Sequence, residues 1–131
     1  MLWCLSRRRN CYPSGAQPNS ITLKIKGSGN QYILNPNFSP CPHFLYFNGK
    51  RITVDKTDCS TLFIPPDNSI NTVKLEWRIK LTNLNGIFAN MENLIEIDLS
   101  DFDSSLVTDM TNMFAGCSSL ISIDLSHLVT T

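Results

Sequence analysis

Asp124, Ser126 and His127 lie within four residues of one another and have the types of an acid, a nucleophile and a base. The pattern around them does not support that chemistry. They fall on or beside an extended run, where neighbouring side chains alternate faces, and no oxyanion-hole element accompanies them. A second set, Asp101, Asp103, Ser105, Val107, Asp109 and Asn112, follows the 1-3-5-7-9-12 count of a calcium loop. Leu106 stands where that loop needs glycine and Asn112 where it needs a bidentate glutamate. His127 and Val129 replace Asp101 and Asp103 one unit later, so a polar link between units is the better reading. His43, between Pro42 and Phe44, has no partner at metal-ligand spacing. Asn37-Phe38-Ser39 has the form of a glycosylation sequon, but Pro40 follows it. The sequence therefore predicts no catalytic residue, no metal and no cofactor, and a chain that is not an enzyme.

The remaining candidates are binding positions. Glu96, Asp98 and Ser100 alternate with apolar residues, and Ser122, Asp124 and Ser126 do so 26 residues later. On stacked strands these six line one solvent-facing surface, with Asp98 beside Asp124, a mildly unfavourable like-charge pair. Such a ladder suits cations, hydroxyl-rich ligands or basic peptides. The same pattern also describes the solvated face of a soluble array.

The elements that must position these residues repeat. Leu84-Asn85-Gly86-Ile87-Phe88-Ala89 returns as Met110-Thr111-Asn112-Met113-Phe114-Ala115, and Leu94-Ile95-Glu96-Ile97-Asp98-Leu99-Ser100 returns as Leu120-Ile121-Ser122-Ile123-Asp124-Leu125-Ser126. A fixed period of 26 with a Leu-x-x-Leu-x-Leu core predicts an α/β fold, a leucine-rich-repeat solenoid of about two units. Val107, Met110, Met113, Phe114 and Cys117 recur at helical spacing, as do Leu81, Leu84, Ile87, Phe88 and Met91. Thr82 and Thr108 are the expected N-caps, and Asn90 and Gly116 the left-handed ends. On this reading Phe114→Ala opens an interior cavity at a cost of about 3–5 kcal/mol.

Residues 1–20 read as an irregular tail and residues 21–80 as a small β-rich N-terminal cap. Ile21, Leu23 and Ile25 alternate with polar residues, as do Val73, Leu75 and Trp77. Phe44 to Phe47, Asn48-Gly49 and Ile52 to Val54 carry a hairpin signal. Residues 81–131 form the array, and two units are too few to stand without neighbours, so it reads as truncated. Its last strand would leave an open edge prone to self-association.

Zero net charge hides a split: all eleven Lys and Arg lie at or before Lys80, against four acids, while seven acids follow it. The first 80 residues carry +7 and the last 51 carry −7. The acidic end argues against nucleic acid as a partner. Met1 to Leu5 is too short for a signal sequence, Arg7-Arg8-Arg9 stands on the wrong side of it, and no apolar run could span a membrane. Of the five cysteines, Cys41 and Cys59 flank predicted strands and could pair in an oxidising compartment. Cys117 reads as a reduced core thiol, since Met91 occupies its place one unit earlier. Cys4 and Cys11 are left unassigned.

The run from Val107 to Ser126, VTDMTNMFAGCSSLISIDLS, resembles the repeat of BspA-like leucine-rich-repeat surface proteins, among them mycoplasma surface lipoproteins of unknown function. The copy before it, joined through Phe102-Asp103-Ser104-Ser105, is similar, so the resemblance covers residues 81–131. Residues 21–80 resemble less closely the lead-in of protist members. The resemblance implies a cell-surface or secreted protein used in recognition or adhesion. Its ligand would be a protein or glycan, and the family lends no catalytic residues. The alternative is an intracellular protein–protein interaction scaffold, favoured by the missing signal sequence and the odd thiol count.

Overall fold

A computed structural model describes residues 2–4, 11–13, 19–67, 69–125 and 128, the first two segments by their backbone pairing. Among the described residues there are ten strands: β1 (Leu2–Cys4), β2 (Cys11–Pro13), β3 (Asn19–Ile25), β4 (Gly29–Tyr32), β5 (Phe44–Phe47), β6 (Lys50–Ile52), β7 (Thr61–Ile64), β8 (Asn71–Trp77), β9 (Leu94–Asp98) and β10 (Ser122–Asp124). Six form one sheet in the order β10-β9-β3-β8-β5-β6, and β1–β2 and β4–β7 are separate antiparallel pairs. Within the large sheet only β10 and β9 run parallel.

Alternation explains the central strands. Ile21, Leu23 and Ile25 of β3 and Val73, Leu75 and Trp77 of β8 are fully buried on one face. Trp77 donates its indole N–H to the Pro40 carbonyl at 2.9 Å and meets the Phe38 ring edge-on at 6.4 Å. The β5–β6 hairpin turns at Asn48 and Gly49 with φ of 49° and 85°, the two positive values a type I′ turn requires.

The α/β leucine-rich-repeat solenoid is overturned. The described residues hold no helix, the fold is all-β, and the sheets do not curl into a solenoid. The 26-residue units do stack in register, Ser122 on Glu96 and Asp124 on Asp98. The expected helices fail because their amides are used elsewhere. The N–H groups of Leu84, Gly86, Phe88 and Asn90 donate to Asp109, Thr111, Met113 and Ala115 of the next unit. Those of Ile87, Ala89 and Met91 close four-residue turns onto Leu84, Gly86 and Phe88. Left-handed residues recur every fourth position, Gly86 and Asn90, then Asn112 and Gly116, and no right-handed helix passes through them. A Cβ on Gly116 would also lie 2.5 Å from Asn90 Oδ1. The expected caps shift by one residue: Asn83 and Asp109, not Thr82 and Thr108, accept the N–H two residues on.

β3 pairs with β8 on one side and β9 on the other, so the N-terminal β region and the repeat units share one sheet and one core. Leu81, Leu84, Ile87, Phe88 and Met91 are buried in it as the apolar spacing anticipates. Phe114 is only half-buried, stacked on Phe88 with centroids 6.2 Å apart. Cys117 is reduced and half-buried, its thiol donating to the Phe88 carbonyl at 3.0 Å, and burial raises its pKa. A protonated thiol in that setting is an inert packing group. Cys41 and Cys59 form a disulfide with Cα atoms 5.9 Å apart. Cys4 and Cys11 are register partners across β1–β2.

Short polar side chains hold the turns. Asp55, Asp58, Asp67, Asp103 and Asp109 each accept the backbone N–H two residues on, from Thr57, Ser60, Ser69, Ser105 and Thr111. Hydrogen bonds from those same partners hold all five carboxyls below their ordinary pKa. A carboxylate whose folded pKa is depressed adds stability above its ordinary value and loses it as pH falls through the folded value. The melting temperature should therefore be flat between about pH 7 and 5 and fall below about pH 4. Calorimetry across that range checks this, and a melting point that held or rose on acidification would contradict it.

Candidate functional site

The two faces of the six-stranded sheet divide by chemistry. One is apolar: Ile123, Ile97, Leu23, Val73 and Phe47 lie in one row, and Ile21, Leu75, Leu45 and Ile52 in the next. The other carries at least one polar residue from every strand. One row reads Asp124, Asp98, Thr22, Lys74, Tyr46, Arg51 from edge to edge, and a second reads Ser122, Glu96, Lys24, Thr72. At strand spacing this surface is about 24 Å wide.

The residues expected to bind ligand occupy its acidic end. Asp98, Ser122 and Asp124 are exposed, and Asp98 and Asp124 are register partners. Glu96 is half-buried and pairs with Lys24 Nζ at 3.4 Å. Ser100 lies beyond the end of β9, where its N–H donates to Asp98 Oδ1 at 2.9 Å, so it belongs to a turn rather than to the strand ladder. Ser126 lies outside the described residues, and so does His127. The acidic ladder is therefore two strands deep and abuts a basic strand.

The basic end was not anticipated. Phe44 is its hub: the Arg51 guanidinium carbon lies 4.0 Å from the ring centroid and that of Arg78 lies 4.6 Å from it. Lys74 Nζ stands 5.1 Å from the Tyr46 ring centroid. Glu76, opposite Phe44 in the register, is 2% exposed. Its Oε1 lies 4.0 Å from Lys74 Nζ, and its Oε2 has no hydrogen-bond partner among the described residues. His43 Nδ1 accepts the Arg78 backbone N–H at 3.1 Å, which leaves Nε2 as the protonated nitrogen of the neutral ring. Burial, then the charges of Lys56 and Arg78, lowers the His43 pKa. Burial and the Glu76 carboxylate raise that of the Tyr46 phenol. Lys56 reaches back to the Pro42 carbonyl at 2.7 Å, so the loop after β6 brings its ammonium beside His43.

One sequence signal could have found this cluster. A two-residue Asn48-Gly49 turn fixes Arg51 opposite Tyr46. The approach of Arg78, Glu76 and Lys56 depends on tertiary packing. Among the described residues, no group of three His, Cys, Asp or Glu side chains could hold a metal ion. Asp103, counted above in the calcium-loop pattern, instead pairs with Lys80 Nζ at 3.3 Å. No described helix is long and apolar enough to cross a membrane.

Residues 57–131, more than half the chain, match the model of the family described as Mycoplasma protein of unknown function, DUF285. The match takes in β7 and β8 as well as both repeat units. No curated protein and no solved structure matches the chain.

Proposed function

The chain belongs to the DUF285 family of Mycoplasma proteins of unknown function, and we propose that it is a non-catalytic recognition or adhesion module of a surface protein. In this reading the ligand, a protein or glycan, lies on the polar face of the six-stranded sheet. The observation that carries this reading is the continuity of that face, which bears a polar or charged residue on all six strands while its reverse packs Ile97, Leu23, Ile21, Val73, Leu75 and Leu45 into the core. A surface this wide with both signs of charge suits an extended partner held by many modest contacts. The BspA-like wording of the repeats supports a place at the cell surface. The Cys41–Cys59 disulfide supports it too, since disulfides persist outside the reducing cytosol.

The test is saturable binding of the oxidised chain to fixed host cells and to an array of matrix proteins and glycans. Binding that weakens with salt is expected. Signal no higher than a charge-matched control on every surface would end the proposal. If a bound ligand is basic, Asp98→Asn with Asp124→Asn should weaken it and flatten its salt dependence, because two exposed register-paired charges are removed. An unchanged salt slope would place that ligand elsewhere.

A further inference from the structure

We infer that the β6 edge of the polar face is a docking site for an acidic peptide in extended conformation, added as a seventh strand. The inference rests on reading the polar face as a binding surface and names which end takes which chemistry.

Among the described residues, β6 closes the sheet and pairs only with β5. In a two-residue hairpin the residues flanking the turn, Phe47 and Lys50, form a hydrogen-bonded pair, so the next pair, Tyr46 and Arg51, is a non-hydrogen-bonded one. The N–H and C=O of Arg51 therefore point out of the sheet, toward where a further strand would lie. A groove of about 540 Å³ runs along this edge, lined by Arg51, Ile52, Thr53 and Val54 and closed by His43, Phe44 and Lys56. Its charged side chains are all basic. Among the described residues no carboxylate pairs with Arg51 or Lys56. The nearest acids in sequence, Asp55 and Asp58, are turned onto Thr57 and Ser60.

These features select the ligand. Outward backbone groups call for a partner with its own N–H and C=O, which is a peptide strand. Side chains two apart on an added strand point to the same face, so acids at alternate positions would meet Arg51 and the other cations there. Arg51, already stacked on Phe44, presents a preorganised fork to a carboxylate. Nucleic acid fits less well, because the same face turns acidic four strands away at Glu96 and Asp98. An anionic glycan would use the cations but not the strand edge.

The probe is a blocked hexapeptide alternating glutamate and valine, titrated into the oxidised full chain and followed by amide shifts. Shifts should centre on residues 50–54, with affinity falling severalfold between about 0.05 and 0.3 M salt. Arg51→Glu should weaken binding about tenfold or more. Its exposed position leaves the fold intact, which the unshifted spectrum of β3 and β9 confirms. A peptide N-methylated at alternate residues should bind about tenfold less well, because methylation removes the strand hydrogen bonds. A peptide that leaves residues 50–54 unshifted overturns the inference, and so does equal binding of the methylated form. A sulfated hexasaccharide that shifts the same residues more strongly than the peptide would also overturn it, by assigning the groove to a glycan. Failure here with cell binding intact removes this site alone, whereas loss of all cell binding removes the recognition reading itself.

Discussion

Phe88→Ala should lower the unfolding free energy by about 3–5 kcal/mol, a large share of the whole stability of a domain this size. Phe88 is fully buried in the one core that the sheet and the repeat units share. Its ring stacks on Phe114 at 6.2 Å, its N–H donates to the Met113 carbonyl, and its carbonyl accepts the Cys117 thiol. Alanine keeps the backbone bonds and deletes the ring, so the loss is transfer energy plus the cavity. The equivalent residue one unit on behaves differently. Phe114 is half-buried, so Phe114→Ala should cost about 1–2 kcal/mol, which corrects the 3–5 kcal/mol expected from the repeat pattern alone. Urea melts of both variants distinguish the two sites through their midpoints. Equal losses would mean that the second unit is as deeply packed as the first.

That pair of variants shows what was legible in the sequence. The 26-residue period placed Phe88 and Phe114 at equivalent positions, and the stacking of their units in register follows it. Period alone does not say which unit is interior. That depends on β3, 76 residues before its partner Asp98, lying against β9. The apolar spacing of Leu81, Leu84, Ile87, Phe88 and Met91 identified a buried face, but it fits stacked turns as well as a helix. The deciding signal was the glycine–asparagine exchange at two positions four apart, Gly86 with Asn112 and Asn90 with Gly116, because both residue types tolerate left-handed backbone. At the polar face, alternation placed Glu96, Asp98, Ser122 and Asp124 on one side of their strands. It could not show that Lys24 would neutralise Glu96, or that Glu76 would be buried beneath its polar neighbours. Both depend on which strands become neighbours, a matter of sheet order rather than of local pattern.

Removing the disulfide by Cys41→Ser with Cys59→Ser should cost about 3 kcal/mol, the loop-closure entropy of an 18-residue separation. The effect should be uneven in space. The closed loop contains β5, β6, His43 and Lys56, and β5 stays anchored to β8 whether or not the sulfurs are joined. What the crosslink adds is a tether between the strand-free segments: the Lys56 ammonium bonded to Pro42, and Cys41 Sγ beside the Lys56 carbonyl at 3.9 Å. Amide exchange should therefore quicken at residues 53–60 well before it does in β3, β8 and β9. Reductant should produce the same pattern in the native chain and none in the double variant. Identical urea midpoints with and without reductant would show that the loop is held by packing alone. If the loop does loosen, Lys56 leaves the groove beside Arg51, and an acidic strand at the β6 edge loses one of its cations. Peptide affinity should then drop on reduction while the acidic end of the same face, four strands away at β9, keeps its register.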